Sequence, residues 1–393
     1  MIVRPGAKGF DLEEALKLYF WRAGYFAVRG VPYRLEGEDV TDVDLWLYER
    51  PAALTRRRLI VDAKNRRSPK VAERLIWTKG LQAALRIDDA IVATTDTRLS
   101  ARRLAKSMGI TLLDGNAVSK LLQSQSLKDA QSLRTEELDV AVRSVDKDRR
   151  SNDWRDQLLA ARSSLISGFG VQSTNACLAA AHFFAEQAIL AHPASNQAQA
   201  ALRVCFHVSA LAAISLDFML ADELFRPRED RKLSVTRAIR FGEAELSSSL
   251  STIKAALGLA RSYAPNGAAV SKQIEHAFYA DAGKIPAEII AEYSSRLGSS
   301  DQLFNVAREV EEASSALQLP SYDELGSEAK AFVGVVLDFN GVSREKFAKS
   351  WPRGSSGPFN QARADPQSLE DTGDLFYDDA KDEVSASASK RRD

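Results

Sequence analysis

Two aspartates and a lysine in the first third of the chain have the residue types and the spacing of a hydrolytic site. Asp44 lies in the segment TDVDLWLYE (41–49), and Asp62 and Lys64 end the segment RRLIVDAK (57–64). Side chains two residues apart on a strand point to the same face, so Asp62 and Lys64 share one. If the two segments pair in a sheet, Asp44 lies beside them, because cross-strand neighbours have Cβ atoms about 4.5–5.5 Å apart.

Such a pair of carboxylates has a definite chemical consequence. Two carboxylates this close repel each other and favour a compensating cation. Mg²⁺ is a natural choice, because it typically binds through one or two carboxylates together with substrate phosphates. The ammonium of Lys64 would then contact a scissile phosphate or orient the attacking water. The alternative for Asp62 and Lys64 is an exposed ion pair worth about 0–1 kcal/mol.

The surrounding patterns predict the elements that must position these residues. Apolar residues at helical spacing in DLEEALKLYFWRAG (11–24) predict a first helix that Gly24 ends. The segment 41–49 alternates and predicts a strand that forms a hairpin with RRLIVDAK, with Asp44, Trp46 and Tyr48 on its partly polar face. Two further helices, the first interrupted by Gly80, alternate with two short apolar strands. The order α-β-β-β-α-β-α-β predicts a mixed sheet with an early antiparallel meander.

Composition divides the chain into four parts. Residues 1–122 form the predicted α/β domain, which holds 22 Lys and Arg against 15 Asp and Glu and so suits a polyanionic partner. Residues 123–153 are polar and predict a linker or an exposed helix. Residues 154–350, rich in Ala, Leu and Ser, predict an all-α domain. Residues 351–393 contain few apolar residues and predict a disordered tail.

Cysteine usage and apolar run lengths bear on the compartment. Cys177 and Cys205 both lie in apolar stretches, which predicts small buried hydrophobes in a reducing compartment. The apolar segment 204–221 contains His207 and Asp217, and its charge-free run is too short to cross a bilayer, so a buried helix is expected. We therefore expect a cytoplasmic protein with no membrane partner.

An Asp on one strand, followed by Asp-x-Lys at the end of the next, resembles the PD-(D/E)XK nuclease superfamily, the restriction-endonuclease-like fold. The αβββαβ core of that fold matches the predicted order. Glu13, eleven residues before Gly24-Tyr25, resembles the spacing in Mrr-type restriction enzymes and archaeal Holliday-junction resolvases. The resemblance covers about residues 8–122. It implies a catalytic set at the following positions: Glu13, Asp44, Asp62, Lys64 and Gln82.

The resemblance also implies a cofactor, and it leaves two alternatives open. Glu13, Asp44 and Asp62 would hold Mg²⁺, for which Mn²⁺ could substitute. Val43 replaces the proline of the family motif, and Asp62 replaces its commoner Glu. Asp42 is an alternative to Asp44, because both point the same way, and Glu14 is an alternative to Glu13.

Together with these residues, the resemblance implies a Mg²⁺-dependent endonuclease acting on DNA, with RNA not excluded, of a restriction, defence or repair type. Basic residues around the second strand are weaker candidates for nucleic-acid contact: Arg56, Arg57, Arg58, Arg66, Arg67 and Lys70. All four histidines follow residue 122, so a histidine-based site cannot be built in the first domain. The alternative is a catalytically inactive, nuclease-like binding or assembly module. In either case the helical domain could form a homodimer or bind a partner protein.

Overall fold

The computed structural model of the chain describes residues 8–35, 38–64, 70–124, 132–193, 195–242, 249–297 and 301–351. For residues 8–11, 249, 250 and 297 only the backbone is described. The predicted disordered tail beyond Trp351 and the predicted phosphate contacts Arg66 and Arg67 lie outside these ranges.

The N-terminal part folds as a five-stranded mixed sheet with helices, as predicted. The strands lie in the order β1-β2-β3-β4-β5; β1, β2 and β3 are antiparallel neighbours, and β3, β4 and β5 are parallel neighbours. The elements are α1 (Lys8–Arg22), β1 (Phe26–Leu35), β2 (Glu38–Glu49), β3 (Arg57–Lys64), α2 (Val71–Ala84), β4 (Asp89–Thr94), α3 (Leu99–Ser107), β5 (Thr111–Leu113) and α4 (Gly115–Gln123).

Two glycines show where local patterns hold and where they fail. Gly24 has a φ of +99° just after α1, and the Tyr25 N–H donates to the Phe20 carbonyl at 3.0 Å, so the helix ends where the sequence predicts. Gly80 does not interrupt its helix, contrary to the prediction. Helix α2 continues through it to Ala84, because a single glycine costs only about 1 kcal/mol and the buried Leu75 and Gln82 hold the helix on both sides.

The helical part that follows is built of the following elements: α5 (Thr135–Arg149), α6 (Asp153–Ser167), α7 (Val171–Leu190), α8 (Asn196–Met219), α9 (Arg228–Phe241), α10 (Ser249–Tyr263), α11 (Gly267–Gly283), α12 (Ala287–Leu297), α13 (Gln302–Ser315), α14 (Ser327–Phe339) and α15 (Arg344–Ala348). Two short 3₁₀ turns, Leu220–Glu223 and Tyr322–Glu324, lie between them. The stretch predicted as a linker or an exposed helix contains α5, whose Leu138, Val142 and Val145 are buried.

Different parts of the chain cover the two faces of the sheet. Helix α1 covers one face, where Leu12 and Leu16 join a buried cluster with Leu45 and Leu47 of β2. On the opposite face Trp46 and Tyr48 are fully buried. The ring of Phe169 meets both of them edge-on, with centroids 4.9 and 5.4 Å away. The sheet and the helical part therefore share one hydrophobic core.

Helix α8 is the centre of the helical part. The segment Asn196–Glu223 is long and apolar enough to cross a membrane, but 83% of its most apolar window is buried inside the protein. That burial is typical of the core helix of a soluble protein, as expected from its sequence. Cys177 and Cys205 are both free and buried, and burial raises the pKa of each thiol to about 12.

A buried polar cluster joins α8 to the sheet. Asp217 accepts a hydrogen bond from the Tyr48 hydroxyl at 2.5 Å and from Arg50 Nη1 at 2.8 Å. Arg56 Nε donates to the same carboxylate at 3.2 Å. The side chains of both arginines and of the aspartate are at most 3% exposed. Burial and the adjacent Asp217 raise the pKa of Tyr48, which keeps its hydroxyl protonated as a donor.

Candidate active site

The candidate site forms where the pairing of β2 and β3 ends. Their ladder reaches Leu45 opposite Val61, and one step further the register brings Asp44 opposite Asp62. There the Ala63 N–H donates to Asp44 Oδ2 at 2.7 Å, so a carboxylate accepts the bond that a strand carbonyl would otherwise take. Asp44 is thereby fixed against β3, as the predicted hairpin requires.

A cavity of about 320 Å³ lies at this end of the two strands. Residues 41–44 of β2 form one wall, and β3 contributes a second with Ile60, Val61, Asp62 and Lys64. Helix α2 supplies the third wall, made of Arg74, Trp77, Thr78 and Leu81. Three of the predicted site residues, Asp44, Asp62 and Lys64, therefore line one open cavity.

Two cations lie against the carboxylates of the cavity. Lys64 Nζ is 3.9 Å from Asp44 Oδ2. Arg74 Nε donates to Asp62 Oδ2 at 2.9 Å, and its Nη2 contacts the other oxygen, Oδ1. Burial lowers the pKa of Arg74, and the charge of Asp44 partly offsets that effect. The guanidinium is therefore paired with Asp62, and its pKa also depends on the charge of Asp44.

Glu13 lies close to these groups without lining the cavity. Its Oε2 accepts a hydrogen bond from Arg29 Nε at 2.9 Å. Burial and the charge of Asp44 raise the pKa of Glu13, while Arg29 and Lys64 lower it. The charge of Asp44 therefore reaches Glu13, which indicates that the two carboxylates lie near each other.

The structure distinguishes both pairs of alternatives. Asp42 also lines the cavity, but it is Asp44 that contacts the backbone of β3 and lies near Lys64. Glu14 is buried and accepts longer hydrogen bonds of 3.4 Å from Arg29 Nη1 and from the Thr135 N–H. Glu14 thus connects α1 to α5, whereas Glu13 is the glutamate whose pKa responds to Asp44 and Lys64.

Gln82 is not brought to the cavity. Its Nε2 donates to the Asp88 carbonyl at 2.9 Å, and its Oε1 accepts a hydrogen bond from Lys79 Nζ at 2.9 Å. The side chain is buried directly after Leu81 of the cavity wall, and it connects the end of α2 to the turn before β4. The structure assigns it a structural role rather than the catalytic role that the resemblance implies.

The predicted nucleic-acid contacts that lie in the described ranges are not at the cavity either. Arg56 to Arg58 are at the opposite end of β3 from Asp62 and Lys64, roughly 13–26 Å away at about 3.3 Å per residue. Arg56 is held by Asp217, Arg57 by Glu49 and Asp89, and Arg58 by Asp88. Lys70 is exposed and pairs with Glu73 at 3.2 Å.

The residues at the site match the ligand preference of Mg²⁺ in kind. Asp44, Asp62 and Glu13 offer the carboxylate oxygens that this ion prefers, and the pKa of Glu13 is raised first by burial and then by the charge of Asp44. Within the described ranges, however, no group of three or more His, Cys, Asp or Glu side chains is already assembled to hold a metal. Arg74 and Arg29 neutralise two of the carboxylates instead.

Comparisons of the chain with protein-family models, with curated proteins and with solved structures found no match. The geometry of the site is therefore the main evidence on what the protein does.

Sequence reasoning missed the α2 wall of the cavity. Arg74, Trp77, Thr78 and Leu81 are spaced i, i+3, i+4 and i+7, which places them on one helix face. That spacing was visible in the sequence, but the contact between this face and Asp62 depends on how α2 returns across the sheet. Thr78 Oγ1 is buried and has no hydrogen-bond partner among the described residues.

Proposed function

We propose that the protein is a Mg²⁺-dependent endonuclease that hydrolyses phosphodiester bonds in DNA, with RNA not excluded. The observation that carries the proposal is the meeting of Asp44, Asp62 and Lys64 in one cavity at the end of the β2–β3 ladder, with Glu13 close enough to sense two of them. The order of helices and strands also agrees with the restriction-endonuclease-like fold.

In this proposal each residue has a defined task. Asp44, Asp62 and Glu13 would hold the ion, for which Mn²⁺ could substitute. The bound ion would supply charge stabilisation at the phosphate and lower the pKa of a water. Lys64, next to Asp44, would donate to a phosphate oxygen or orient the attacking water. Gln82 has no part in it, since its amide is bound elsewhere.

Arg74 opposes metal binding at this site. Its guanidinium contacts both oxygens of Asp62, so it takes two of the lone-pair sites of that carboxylate and puts a positive charge next to the position proposed for the ion. Arginine pairs as readily with phosphate as with carboxylate, because its fork of donors fits both. A phosphate of the substrate would therefore draw Arg74 away and free Asp62.

The same contacts favour a second candidate, an inactive nuclease-like module. In that reading Arg74 and Arg29 permanently replace the metal, and the fold serves binding or assembly through the helical part. Both candidates place the protein in the cytoplasm, and the first gives it a role in restriction, defence or repair.

Cleavage assays separate the two candidates. Supercoiled plasmid, single-stranded, duplex and branched DNA, and RNA would be incubated with the full chain in Mg²⁺, in Mn²⁺ and in EDTA. The proposal expects metal-dependent cleavage of at least one DNA substrate that is lost in Lys64→Ala and Asp62→Asn. Lys120→Ala and Asp148→Asn, which remove exposed charges elsewhere, are matched controls that should cut like the wild type.

The outcome against the proposal is equally definite. Cleavage by Lys64→Ala at the wild-type rate would exclude the mechanism. If no substrate is cleaved in either Mg²⁺ or Mn²⁺, the result would favour the inactive module.

A further inference from the structure

The α2 wall of the cavity carries features that the proposed chemistry does not use. Trp77 lines the cavity and is 48% exposed, which is unusual for the largest apolar side chain. Thr78, next to it, is 1% exposed and also lines the cavity. Both lie on the same helix face as Arg74.

Thr78 lines the cavity and carries a hydroxyl whose hydrogen-bonding capacity is not used by the described residues. A threonine inside a helix commonly donates to the carbonyl four residues earlier, but Thr78 Oγ1 has no hydrogen-bond partner among the described residues. A buried hydroxyl without a partner costs roughly as much as a lost hydrogen bond, so such groups are rare unless something else satisfies them. Because Thr78 lines the cavity, a ligand there can satisfy the hydroxyl once rotation of the Thr78 side chain brings Oγ1 to the cavity surface.

We propose that this wall binds one unpaired nucleotide of the substrate strand, with Trp77 stacking on the base and Thr78 donating to or accepting from its polar edge. The inference rests on the proposed nuclease function and narrows its substrate class to strands with unpaired bases. Every base has a π face, and aromatic side chains bind single strands by stacking on it. The phosphate of the same nucleotide then lies on the side of Arg74.

The size of the cavity agrees with this ligand. Pockets for small ligands range from about 300 to 1,000 Å³, and this one of about 320 Å³ is at the lower end. It is too small for a stacked base pair with its backbones, so a base inside a duplex would first have to leave its helix. That step costs less for a strand that is already single, frayed or mismatched.

Binding can be measured in EDTA, which removes divalent ions and so prevents the proposed hydrolysis. Fluorescence anisotropy of a labelled oligothymidine and of a blunt duplex of equal length would give both dissociation constants for the full chain. We expect the single strand to bind about tenfold more tightly, and Trp77→Ala to weaken it about tenfold. Trp77→Phe should retain most of the affinity, because it keeps a ring. Thr78→Val should reduce it less than Trp77→Ala does.

Ile76→Ala is the matched control. Ile76 is 62% exposed on the same helix but does not line the cavity, so its loss should leave binding unchanged. The inference is overturned if Trp77→Ala binds like the wild type or if Ile76→Ala loses as much. Cleavage by the wild type without any Trp77 effect would reject this inference alone. Trp77-dependent binding without cleavage would reject the proposed nuclease function alone.

Discussion

The guanidinium of Arg74 contacts both carboxylate oxygens of Asp62, with its Nε 2.9 Å from Oδ2. The two side chains are 31% and 11% exposed, so the pair is partly shielded from water. An arginine thus pairs with the carboxylate that the proposed chemistry needs for a metal ion, and its positive charge competes electrostatically with the ion for Asp62.

Removal of Arg74 should therefore strengthen metal binding. We expect Arg74→Ala to lower the dissociation constant for Mn²⁺ about tenfold, because Asp62 loses a charge-assisted partner worth about 1.5–3 kcal/mol. Isothermal titration calorimetry with Mn²⁺ alone measures this. Arg102→Ala, which removes the arginine paired with Asp114 outside the cavity, is the matched control. Equal Mn²⁺ affinity in Arg74→Ala and the wild type would contradict the competition.

The charges around Glu13 predict opposite shifts in two variants. Asp44 raises the pKa of Glu13 and Lys64 lowers it, so Asp44→Asn should lower that pKa and Lys64→Ala should raise it. Carbon-13 NMR titration of labelled glutamate carboxyls, with Glu13→Gln for assignment, measures both. A pKa that moves in neither variant would mean that Glu13 does not converge with the other two residues.

The same raised pKa has a consequence for stability. The folded protein holds the Glu13 proton to higher pH than the unfolded chain does. The contribution of Glu13 to the free energy of unfolding is therefore greatest below its unfolded pKa and falls as the pH rises toward the folded-state value. Glu13→Gln should remove this dependence, which denaturant unfolding at several pH values would test.

Asp217 should be important for stability. Asp217→Ala removes the acceptor shared by Tyr48, Arg50 and Arg56, and it leaves buried positive charge without its partner. We expect a loss of roughly 3–5 kcal/mol in the free energy of unfolding, measured in urea. Asp222→Ala, which changes an exposed aspartate one turn further on, should cost less than about 0.5 kcal/mol. Similar losses of stability in both variants would contradict the conclusion that Asp217 joins α8 to the sheet.

Replacement of two glycines by alanine should change the free energy of unfolding in opposite directions. A Cβ at Gly115 would lie 2.3 Å from the Thr95 carbonyl oxygen, so Gly115→Ala must displace backbone and should destabilise the fold. A Cβ at Gly80 meets nothing within 4 Å, so Gly80→Ala should stabilise α2 by about 0.5–1 kcal/mol. Thermal unfolding of the two variants tests the contrast, and a stabilised Gly115→Ala would contradict it.

The parts of the site that could be predicted depend on local geometry. The alternation in β2 and the spacing in β3 were enough to place Asp44 opposite Asp62, because strand register follows from a period of two. The same alternation could not show that Trp46 and Tyr48 are buried. Two of the aromatic residues that cover them, Phe169 and Phe218, come more than a hundred positions later.

The charge of a residue in the sequence likewise does not identify the partner that it contacts in the fold. Arg56 is a candidate for phosphate contact in the sequence because it directly precedes the strand that carries Asp62. Its actual partner, Asp217, lies 161 positions away in the sequence. Gln82 was placed by resemblance, and its bonds to Asp88 and Lys79 depend on the turn that follows α2. Long-range pairing of this kind leaves no periodic signal in a single sequence.

The covering of Trp46 and Tyr48 by the helical part bears on how the protein can be handled. A fragment ending near Gln123 would expose both rings to water and leave Arg50 and Arg56 without their carboxylate, so it should aggregate rather than fold. Attempts to isolate a minimal catalytic piece by truncation would then fail for reasons unrelated to catalysis. Single substitutions in the intact chain are the sounder route.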